Sequence, residues 1–338
     1  MMLLRQAQGS DIDAIHTLAM NSGVGITTLP QDKNALIQRI ERAVQSFNPT
    51  YTLYDHAYYL FVLENTETKA LVGTSAIEAR SGADLPFYTY HVSTHHQTCE
   101  KLRIKQNYTL LSLSNETEGL SELCTLFLNP DDRKDGNGPL LSRARFLFMA
   151  NHPERFTSRL IAEIRGVSDE QGCSPFWDAL GYHFFKCSFA QAVALNAANM
   201  KQAIVDFMPK YPIYADLLPQ KAQDVIGQPH ASSHAAMTIL LHEGFRYNQC
   251  VDLFDAGPTI EVQRDACRSI ANSQPLRLTI TDASLTSPTR AIIANTSENF
   301  RACLATVELN KDNGTCVLHQ HQASMLDVVT GDTVRVVL

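Results

Sequence analysis

Apolar positions in the first part of the chain alternate between a helical and a strand-like period. A short apolar start at residues 3–5 predicts a strand. Apolar residues three and four positions apart predict a helix capped near Ser10 and a second helix over residues 32–47. Runs at 59–63 and 70–79, separated by a polar turn, predict an antiparallel hairpin. We therefore expect two helices followed by the first strands of a sheet.

The middle of the chain continues this mixture of strands and helices. Four more apolar runs predict strands, at residues 87–93, 108–114, 121–128 and 159–167. The polar stretch between the first two of these predicts an exposed loop. A helix is predicted over 139–150, with Pro139 at its first position, and another over 175–180, ended by Gly181.

Beyond residue 187 the predicted structure is first mainly helical and then rich in short strands. Beyond Cys187 the period is helical over 190–208, and a turn, a helix and a strand follow over 232–254. Short β-prone segments separated by Asn-Gly and Gly-Asp turns then predict strands at residues 276–280, 291–294, 303–308, 315–318 and 333–337.

These elements predict an α+β protein in three parts. A core over residues 1–187 holds a mixed, mostly antiparallel sheet flanked by helices. Residues 188–274 form a helical extension with completing strands, and residues 275–338 form a small β-rich module.

Composition narrows the class of ligand and compartment. With a formal net charge of −7, the chain has no overall positive field for nucleic acid or an anionic membrane. The eight cysteines are scattered, without a Cys-x-x-Cys pair or histidines at zinc-ligand spacing, which favours reduced thiols and no metal. The first residues lack the apolar core and cleavage site typical of a signal peptide, and no apolar run is long enough to span a bilayer, so we expect neither secretion nor membrane insertion. We therefore expect a cytoplasmic protein.

One passage carries recognisable chemistry: a strand, a tight loop and the start of a helix. The loop contains Arg133, Lys134, Gly136, Asn137 and Gly138. Backbone amides in such a loop, together with the helix dipole, suit a diphosphate; the glycines allow close approach and the two cations add charge-assisted contacts. The spacing Arg-x-x-Gly-x-Gly differs from the nucleoside-triphosphate and dinucleotide motifs. A glycine-rich turn without a ligand is the alternative.

This loop resembles the coenzyme A signature of the GNAT acyltransferase superfamily, Gln/Arg-x-x-Gly-x-Gly/Ala after an apolar strand. The order of the flanking elements is also similar, and residues 176–182 look like the superfamily's aromatic helix ending in Leu-Gly-Phe/Tyr. The resemblance implies a GNAT-type sheet and an acyl-CoA that is a co-substrate rather than a permanently bound cofactor.

Most of the chain also resembles the arginine N-succinyltransferases. The resemblance is carried by residues 25–30, 121–128, 133–138, 162–166, 174–177, 208–214, 222–230, 243–247 and 255–259. It implies transfer of succinyl from succinyl-CoA to the α-amine of L-arginine, or of ornithine, as the first step of arginine catabolism. The implied partners are these small molecules, with no nucleic acid and no membrane, in a homo-oligomer or paired subunits.

The resemblance also implies site residues. Leu126 corresponds to the succinyl-CoA contact, and His230, in Gly-Gln-Pro-His, corresponds to the catalytic proton donor. The expected succinyl-CoA site comprises Leu126, Leu128, Arg133, Lys134, Gly136, Asn137 and Gly138. The chemistry of the residues agrees in part: an unperturbed histidine, with a pKa of about 6.5, exchanges protons at neutral pH. The chain has twelve histidines, however, and Leu126 also suits an ordinary core position.

The remaining roles stay open on sequence alone. A succinyl carboxylate needs a cation and an acceptor guanidinium needs acids. The cation candidates are Arg80 and Arg165, and the acid candidates are Glu78, Glu122 and Glu163. Thr27 and Thr28 either line the acceptor pocket or cap the second helix. The same fold with another amine acceptor, and a non-catalytic CoA-binding subunit, are the alternative functions.

Overall fold

A computed structural model describes residues 1–338 apart from 24, 85, 198–205 and 311–312. Its α-helices are α1 Ile12–Asn21, α2 Lys33–Ser46, α3 Asn137–Asn151, α4 Pro175–Ala179, α5 Gly181–Phe185, α6 Phe189–Ala197, α7 Gln220–Gln223, α8 His234–His242, α9 Arg268–Asn272 and α10 Gln320–Leu326. Its strands are β1 Met2–Gln6, β2 Tyr58–Asn65, β3 Leu71–Glu78, β4 Thr89–Cys99, β5 Ile104–Ser114, β6 Ser121–Leu128, β7 Arg159–Glu163, β8 Ile213–Tyr214, β9 Arg246–Val251, β10 Pro258–Gln263, β11 Gln274–Thr281, β12 Thr289–Asn295, β13 Arg301–Asn310, β14 Thr315–His319 and β15 Thr333–Val337.

The strands pair edge to edge in the order β12-β15-β11-β14-β13-β1-β2-β3-β6-β7-β10-β9-β4-β5-β8. Among the described strands, the pairs β6–β7 and β11–β14 are parallel and the others antiparallel. An additional β12–β13 pairing closes the five C-terminal strands on themselves, and β13 joins them to β1. The predicted α+β class with a mixed, mostly antiparallel sheet is therefore confirmed.

The central strand β2 shows why the sheet is covered on both faces. Its side chains alternate: Tyr59, Phe61 and Leu63 pack in the cluster that includes α3, whereas Tyr58 and Leu60 pack in the cluster that includes α1 and α2. Because successive strand residues point to opposite faces, a strand that is apolar at every position must be covered twice. This places α3 on one side of the sheet and the first two helices on the other.

Most predicted elements are present, with boundary changes that have local causes. The helix expected from Pro139 begins two residues earlier, at Asn137, because Gly136 adopts the N-cap position. The helix over 175–180 ends at Ala179, and Gly181 starts α5 instead of closing a helix. Part of the helical stretch over 190–208 lies outside the described residues. No helix in the described ranges has the length and apolarity needed to cross a bilayer.

Two predictions were wrong. The loop expected over residues 94–107 is reduced to a turn over 100–103, because β4 and β5 pair over eleven residues each, from Thr89–Ser114 to Cys99–Ile104. Both faces of this distal hairpin are exposed, so its sequence lacks the apolar alternation that signals a strand. The strand expected over 159–167 ends at Glu163, because the chain beyond it leaves β7 and forms a single bridge, Gly166 to Pro229.

Candidate functional site

The parallel strands β6 and β7 pair only near their beginnings. Ser121 lies opposite Leu160 and Glu122 opposite Ile161, and no later pair is present along the described strands. Beyond these residues the facing edges of the two strands are left without partners. A sheet that opens in this way offers backbone N–H and C=O groups to an extended ligand.

A β-bulge turns β6 away from its neighbour at this point. Thr125 and Leu126 together lie opposite Ser75 of β3, since Cys124 pairs with Ala76 and the next pair is one residue out of step. Thr125 has a positive φ of 56°, which is uncommon for a β-branched residue. A bulge leaves one residue out of the ladder and bends the strand, and bulges are frequent next to active sites.

Four hydrogen bonds hold the bulge in place. The amide of Thr125 donates to Thr28 Oγ1 at 3.0 Å, and its hydroxyl donates to the Thr28 carbonyl at 3.2 Å. Thr74 Oγ1 donates to the Thr125 carbonyl at 2.9 Å, and the Tyr58 hydroxyl lies 2.8 Å from Thr125 Oγ1. Thr28 therefore anchors the loop between α1 and α2 over the bulge.

The helix-cap interpretation of Thr27 and Thr28 is wrong. The N-cap of α2 is Asp32, whose side chain accepts the Ala35 amide at 2.8 Å. Both threonines instead line a cavity beside the bulge.

This cavity, of about 130 Å³, lies between the parted strands and beneath the α1–α2 loop. Leu126 lines it, as do residues of α6 and α8. Its charged lining residues are Glu122, Glu163, Asp252, Asp255, Arg145 and Arg165. The structure thus brings together Leu126, Glu122, Glu163 and Arg165 among the sequence candidates.

Two other candidates lie outside this cavity. Glu78 is ion-paired with Arg42, and Arg80 donates to the Ala79 carbonyl and is ion-paired with Asp55. Both are engaged in structural contacts, so they are not the acid and cation that the cavity supplies.

The glycine-rich loop forms a concave turn at the end of β6. Asp135 and Gly136 both have positive φ, 55° and 87°, and α3 begins at Asn137. Within the described part of the chain, the amides of Asp135, Gly136 and Gly138 have no hydrogen-bond acceptor. Three unpaired amides at a helix N-terminus are the arrangement that binds an anion. The turn is also held by a contact from the C-terminal strands, since Arg290 of β12 donates to the Asp135 carbonyl.

The polar side chains of the loop hold its shape. Arg133 Nε donates to the Leu128 carbonyl at 3.1 Å, and Asn137 Nδ2 donates to the Asp132 carbonyl at 3.0 Å. Leu128 is buried at the end of β6 and does not line the cavity. The Leu128 carbonyl therefore holds Arg133 at the start of the loop, whereas Leu126 lines the cavity.

His230 lies beside the cavity rather than in its lining. Its amide donates to the Arg165 carbonyl at 2.8 Å, and Ser233, three residues later, does line the cavity. The ring Nδ1 accepts the Ser232 amide at 3.1 Å and lies 2.7 Å from Ser232 Oγ. Because an amide can only donate, the neutral ring carries its proton on Nε2.

The surroundings of His230 favour the neutral ring. Burial lowers the pKa of His230 and the charge of Arg165 lowers it further, while a backbone hydrogen bond with Ser168 opposes them. Since the ordinary pKa is 6.5, the imidazole is neutral at pH 7. In this tautomer Nε2–H can donate a proton, and Nδ1, beside Ser232, is the nitrogen that can accept one, which together make a proton shuttle.

The segments 164–166 and 255–257 cross in close contact at the backbone of Arg165. A Cβ on Gly257 would lie 2.1 Å from the Ile164 carbonyl oxygen and 2.5 Å from the Gly166 amide nitrogen. The buried carboxyl group of Asp255 accepts the amides of Gly166 and Gly257, at 2.8 and 2.9 Å. This crossing fixes the backbone of Arg165, whose carbonyl accepts the His230 amide.

We expect Gly257→Ala to lower the free energy of unfolding by about 1–3 kcal/mol or more, because no backbone shift can make room without breaking the crossing. Urea denaturation measures the change. Gly9→Ala is the control: a Cβ there has no heavy atom within 4 Å, so its stability should match that of the wild type. Equal stability of the two variants would show that the crossing is not rigid.

Sequence reasoning missed three cavity residues. Arg145 is buried on α3, and its donors go to Ser142 and to the carbonyls of Ala76 and Cys124. Nothing in the helical pattern distinguishes it from a surface arginine. Asp252 and Asp255 come from a turn that only tertiary packing brings to the cavity, although residues 255–259 were among the recognised passages.

A trio of potential metal ligands meets elsewhere in the sheet. Glu116 Oε1 lies 2.8 Å from His91 Nδ1 and accepts the Cys250 thiol at 2.7 Å. Burial, with the Glu116 hydrogen bond, raises the pKa of Cys250 to about 12, so the thiol keeps its proton. Hydrogen bonding within the trio accounts for its geometry.

Comparison with known proteins covers the whole chain. The family described as arginine N-succinyltransferase beta subunit matches residues 2–269, and the C-terminal domain of that subunit matches residues 276–337. A Yersinia enterocolitica protein named arginine N-succinyltransferase is 41% identical over 341 residues, spanning 100% of this chain and 97% of the relative. An Escherichia coli protein of the same name is 40% identical over 338 residues, with the same coverage.

A solved structure is similar over the same length. The arginine/ornithine succinyltransferase subunit AI from Pseudomonas aeruginosa superposes with a TM-score of 0.89 at 34% identity, covering 100% of this chain and 98% of that one. The likeness therefore extends through the cavity, the loop and the C-terminal strands.

Proposed function

The chain belongs to the arginine N-succinyltransferase family, and from that premise we propose that it transfers succinyl from succinyl-CoA to the α-amine of L-arginine. The observation that carries the proposal is the course of β6: its bulge borders the cavity, and its end leads into a loop with three unpaired amides. One strand thus joins an anion-binding turn to a reaction chamber. We infer that the sheet is of the GNAT type.

Succinyl-CoA would lie along β6. The amides of Asp135, Gly136 and Gly138 would hold its diphosphate, with Lys134 adding positive charge. The amide groups of pantetheine would extend between the parted strands as an added strand does. The thioester would then lie beside Leu126, where the bulge interrupts the ladder.

The reaction needs one proton to move. The neutral α-amine attacks the thioester carbon. The proton that the nitrogen loses as the C–N bond forms would pass through the Ser232 hydroxyl to Nδ1 of neutral His230, which lies 2.7 Å from that hydroxyl. Because the Thr125 amide donates to Thr28 Oγ1, the Leu126 amide is the bulge N–H that we propose as donor to the oxyanion. As the C–S bond breaks, His230 would donate its Nε2 proton to the sulfur, so that the ring is neutral again and free CoA leaves. Direct transfer of this kind requires no covalent acyl-enzyme.

The acids in the cavity suit a basic acceptor. Glu122, Glu163 and Asp252 line it, and a guanidinium binds carboxylates through paired hydrogen bonds. Ornithine carries a positive charge in a comparable position, and the Pseudomonas aeruginosa relative is named for both acceptors. We propose arginine as the acceptor and ornithine as the alternative to be tested.

The pH dependence follows from the proposed shuttle. Neutral His230 is the form that accepts the amine proton, so kcat/KM for succinyl-CoA should rise with pH through the pKa of this histidine. Because burial and Arg165 lower that pKa from 6.5, we expect the acidic limb below pH 6.5 at saturating arginine. The α-amine, which must also be neutral to attack, contributes a separate rise at higher pH. His230→Ala should lack the limb below pH 6.5, and the same limb in that variant would exclude His230 in this role.

The test of function is release of free thiol by the purified protein. Succinyl-CoA with L-arginine should release CoA and yield N2-succinylarginine, detected by mass spectrometry, and ornithine and other amines are compared at equal concentration. Absence of release with both arginine and ornithine would reject the substrate assignment. Binding of succinyl-CoA without turnover of any amine would favour a non-catalytic subunit.

We also propose an organisation and a setting for the enzyme. The division into residues 1–187, 188–274 and 275–338 is supported by the buried core that the closed C-terminal strands form among themselves. Assembly with further copies or with a paired subunit is supported by the Pseudomonas aeruginosa relative, which is described as a subunit. A cytoplasmic location fits the eight cysteines, which are free thiols in the structure.

A further inference from the structure

Arg165 is the cavity cation with an unsatisfied donor. It follows β7 and lines the cavity, and its Nη2 donates to Ser168 Oγ at 3.0 Å. Its Nε is buried and has no hydrogen-bond partner among the described residues. A buried charged donor without a partner is costly, so such groups commonly mark places where a ligand supplies the missing acceptor.

The α1–α2 loop is shaped around this guanidinium. A Cβ on Gly25 would lie 2.8 Å from Arg165 Nε, and one on Gly23 would lie 4.0 Å from Arg165 Nη1. Gly25 has a φ of 111°, so the loop passes close to the guanidinium in a conformation that favours glycine. The same loop carries Thr27 into the cavity lining. Arg165 is thus held under the loop, at the side of the cavity that the loop covers.

The carboxyl group that acts on Arg165 is also engaged with the backbone of the protein. Asp255 is the carboxyl group whose charge acts on it, but both Asp255 oxygens already accept the amides of Gly166 and Gly257. Burial raises the pKa of Asp255 well above its ordinary value, and Asp252 raises it further. Each oxygen of Asp255 is therefore engaged in the crossing of the two chain segments.

The other arginines do not fill this role. The guanidinium of Arg145 has each nitrogen engaged, by Ser142 and by carbonyls of the sheet, and so it supports the bulge. Arg80 lies outside the cavity and is ion-paired with Asp55.

We propose that Arg165 binds a carboxylate of the substrates and sets the specificity of the site. The inference rests on the proposed function, which brings two carboxylates into the cavity: the free end of the succinyl group and the α-carboxylate of the amino acid acceptor. Arginine suits either, since its planar donors match the two oxygens of a carboxylate. An uncharged acyl group, or an acceptor without an α-carboxylate, would leave Nε unpaired.

Isothermal titration calorimetry distinguishes the succinyl carboxylate from the α-carboxylate of the acceptor without requiring turnover. Wild type, Arg165→Gln and Arg165→Lys are titrated with succinyl-CoA and with CoA, and then with L-arginine and with agmatine, which is arginine without its carboxylate. If Arg165 binds the succinyl end, Arg165→Gln should weaken succinyl-CoA at least tenfold and leave CoA unchanged. If it binds the acceptor, the variant should weaken arginine at least tenfold and leave agmatine unchanged. Arg165→Lys should recover part of either loss.

Arg80→Gln is the matched control and should bind all four ligands as the wild type does. Thermal unfolding shows which variants are folded. If Arg165→Gln is not folded, the titrations of Arg165→Lys test the inference. This variant should lose affinity for the same ligand, by a smaller factor. Equal affinities of wild type and folded Arg165 variants for both carboxylate ligands would overturn the inference and leave the proposed function standing. A wild-type protein that binds no CoA would instead overturn the proposed function.

Discussion

Replacing His230 with alanine should lower kcat by about 10²- to 10⁴-fold, the range that general acid–base groups contribute. KM for succinyl-CoA should change little, because His230 lies beside the cavity and not in its lining. The fold should survive, since the hydrogen bonds of the ring are local, to Ser232, and the backbone bond to the Arg165 carbonyl remains. Steady-state kinetics with arginine and succinyl-CoA measure the effect.

The matched control is His242, an exposed histidine at the other end of α8. His242→Ala should keep kcat within about threefold of the wild type, as for most surface substitutions. Were His230→Ala to keep more than a tenth of the wild-type kcat, the proton would have to move through another group.

Gly138→Asp should weaken CoA binding by about 100-fold or more, because hydrogen bonds to charged groups contribute about 1.5–3 kcal/mol each and a carboxylate would repel the diphosphate. The substitution should be tolerated by the fold. A Cβ at Gly138 would meet only Ile239 Cδ1, at the ordinary contact distance of 3.9 Å. An acidic residue in the first turn of a helix also interacts favourably with the helix dipole.

Gly138→Ser separates charge from bulk at the same position. It should keep CoA affinity within about fivefold of wild type, since a small neutral side chain brings no net charge to the turn. Added salt should narrow the gap between the two variants, because it screens exposed charges. If Gly138→Asp binds CoA as tightly as Gly138→Ser, the diphosphate does not lie at this loop.

The elements that sequence could predict are those with a local physical signal. The apolar run of β2 and the helical spacing of α1 and α2 each reflect a face that must be buried, so their periods reveal them. The loop from Arg133 to Gly138 was recognisable because glycines, cations and a helix start coincide within a few residues.

What sequence could not predict depends on contacts between distant segments. Thr125 adopts a left-handed conformation because Thr28 and Thr74 hold it there, and no residue at the bulge signals it. The hairpin over residues 94–107 pairs without a buried face, so the pattern resembles a loop. Gly257 meets the backbones of Ile164 and Gly166 across the fold, and their nearness follows only from the tertiary structure.

The central claim is that β6 connects a diphosphate site to the reaction chamber, and a crystal structure of the protein with CoA tests it most directly. We expect the diphosphate within hydrogen-bond distance of the amides of Gly136 and Gly138, with the CoA sulfur in the cavity beside Leu126. CoA bound elsewhere, with this loop empty in the liganded crystal, would contradict the account.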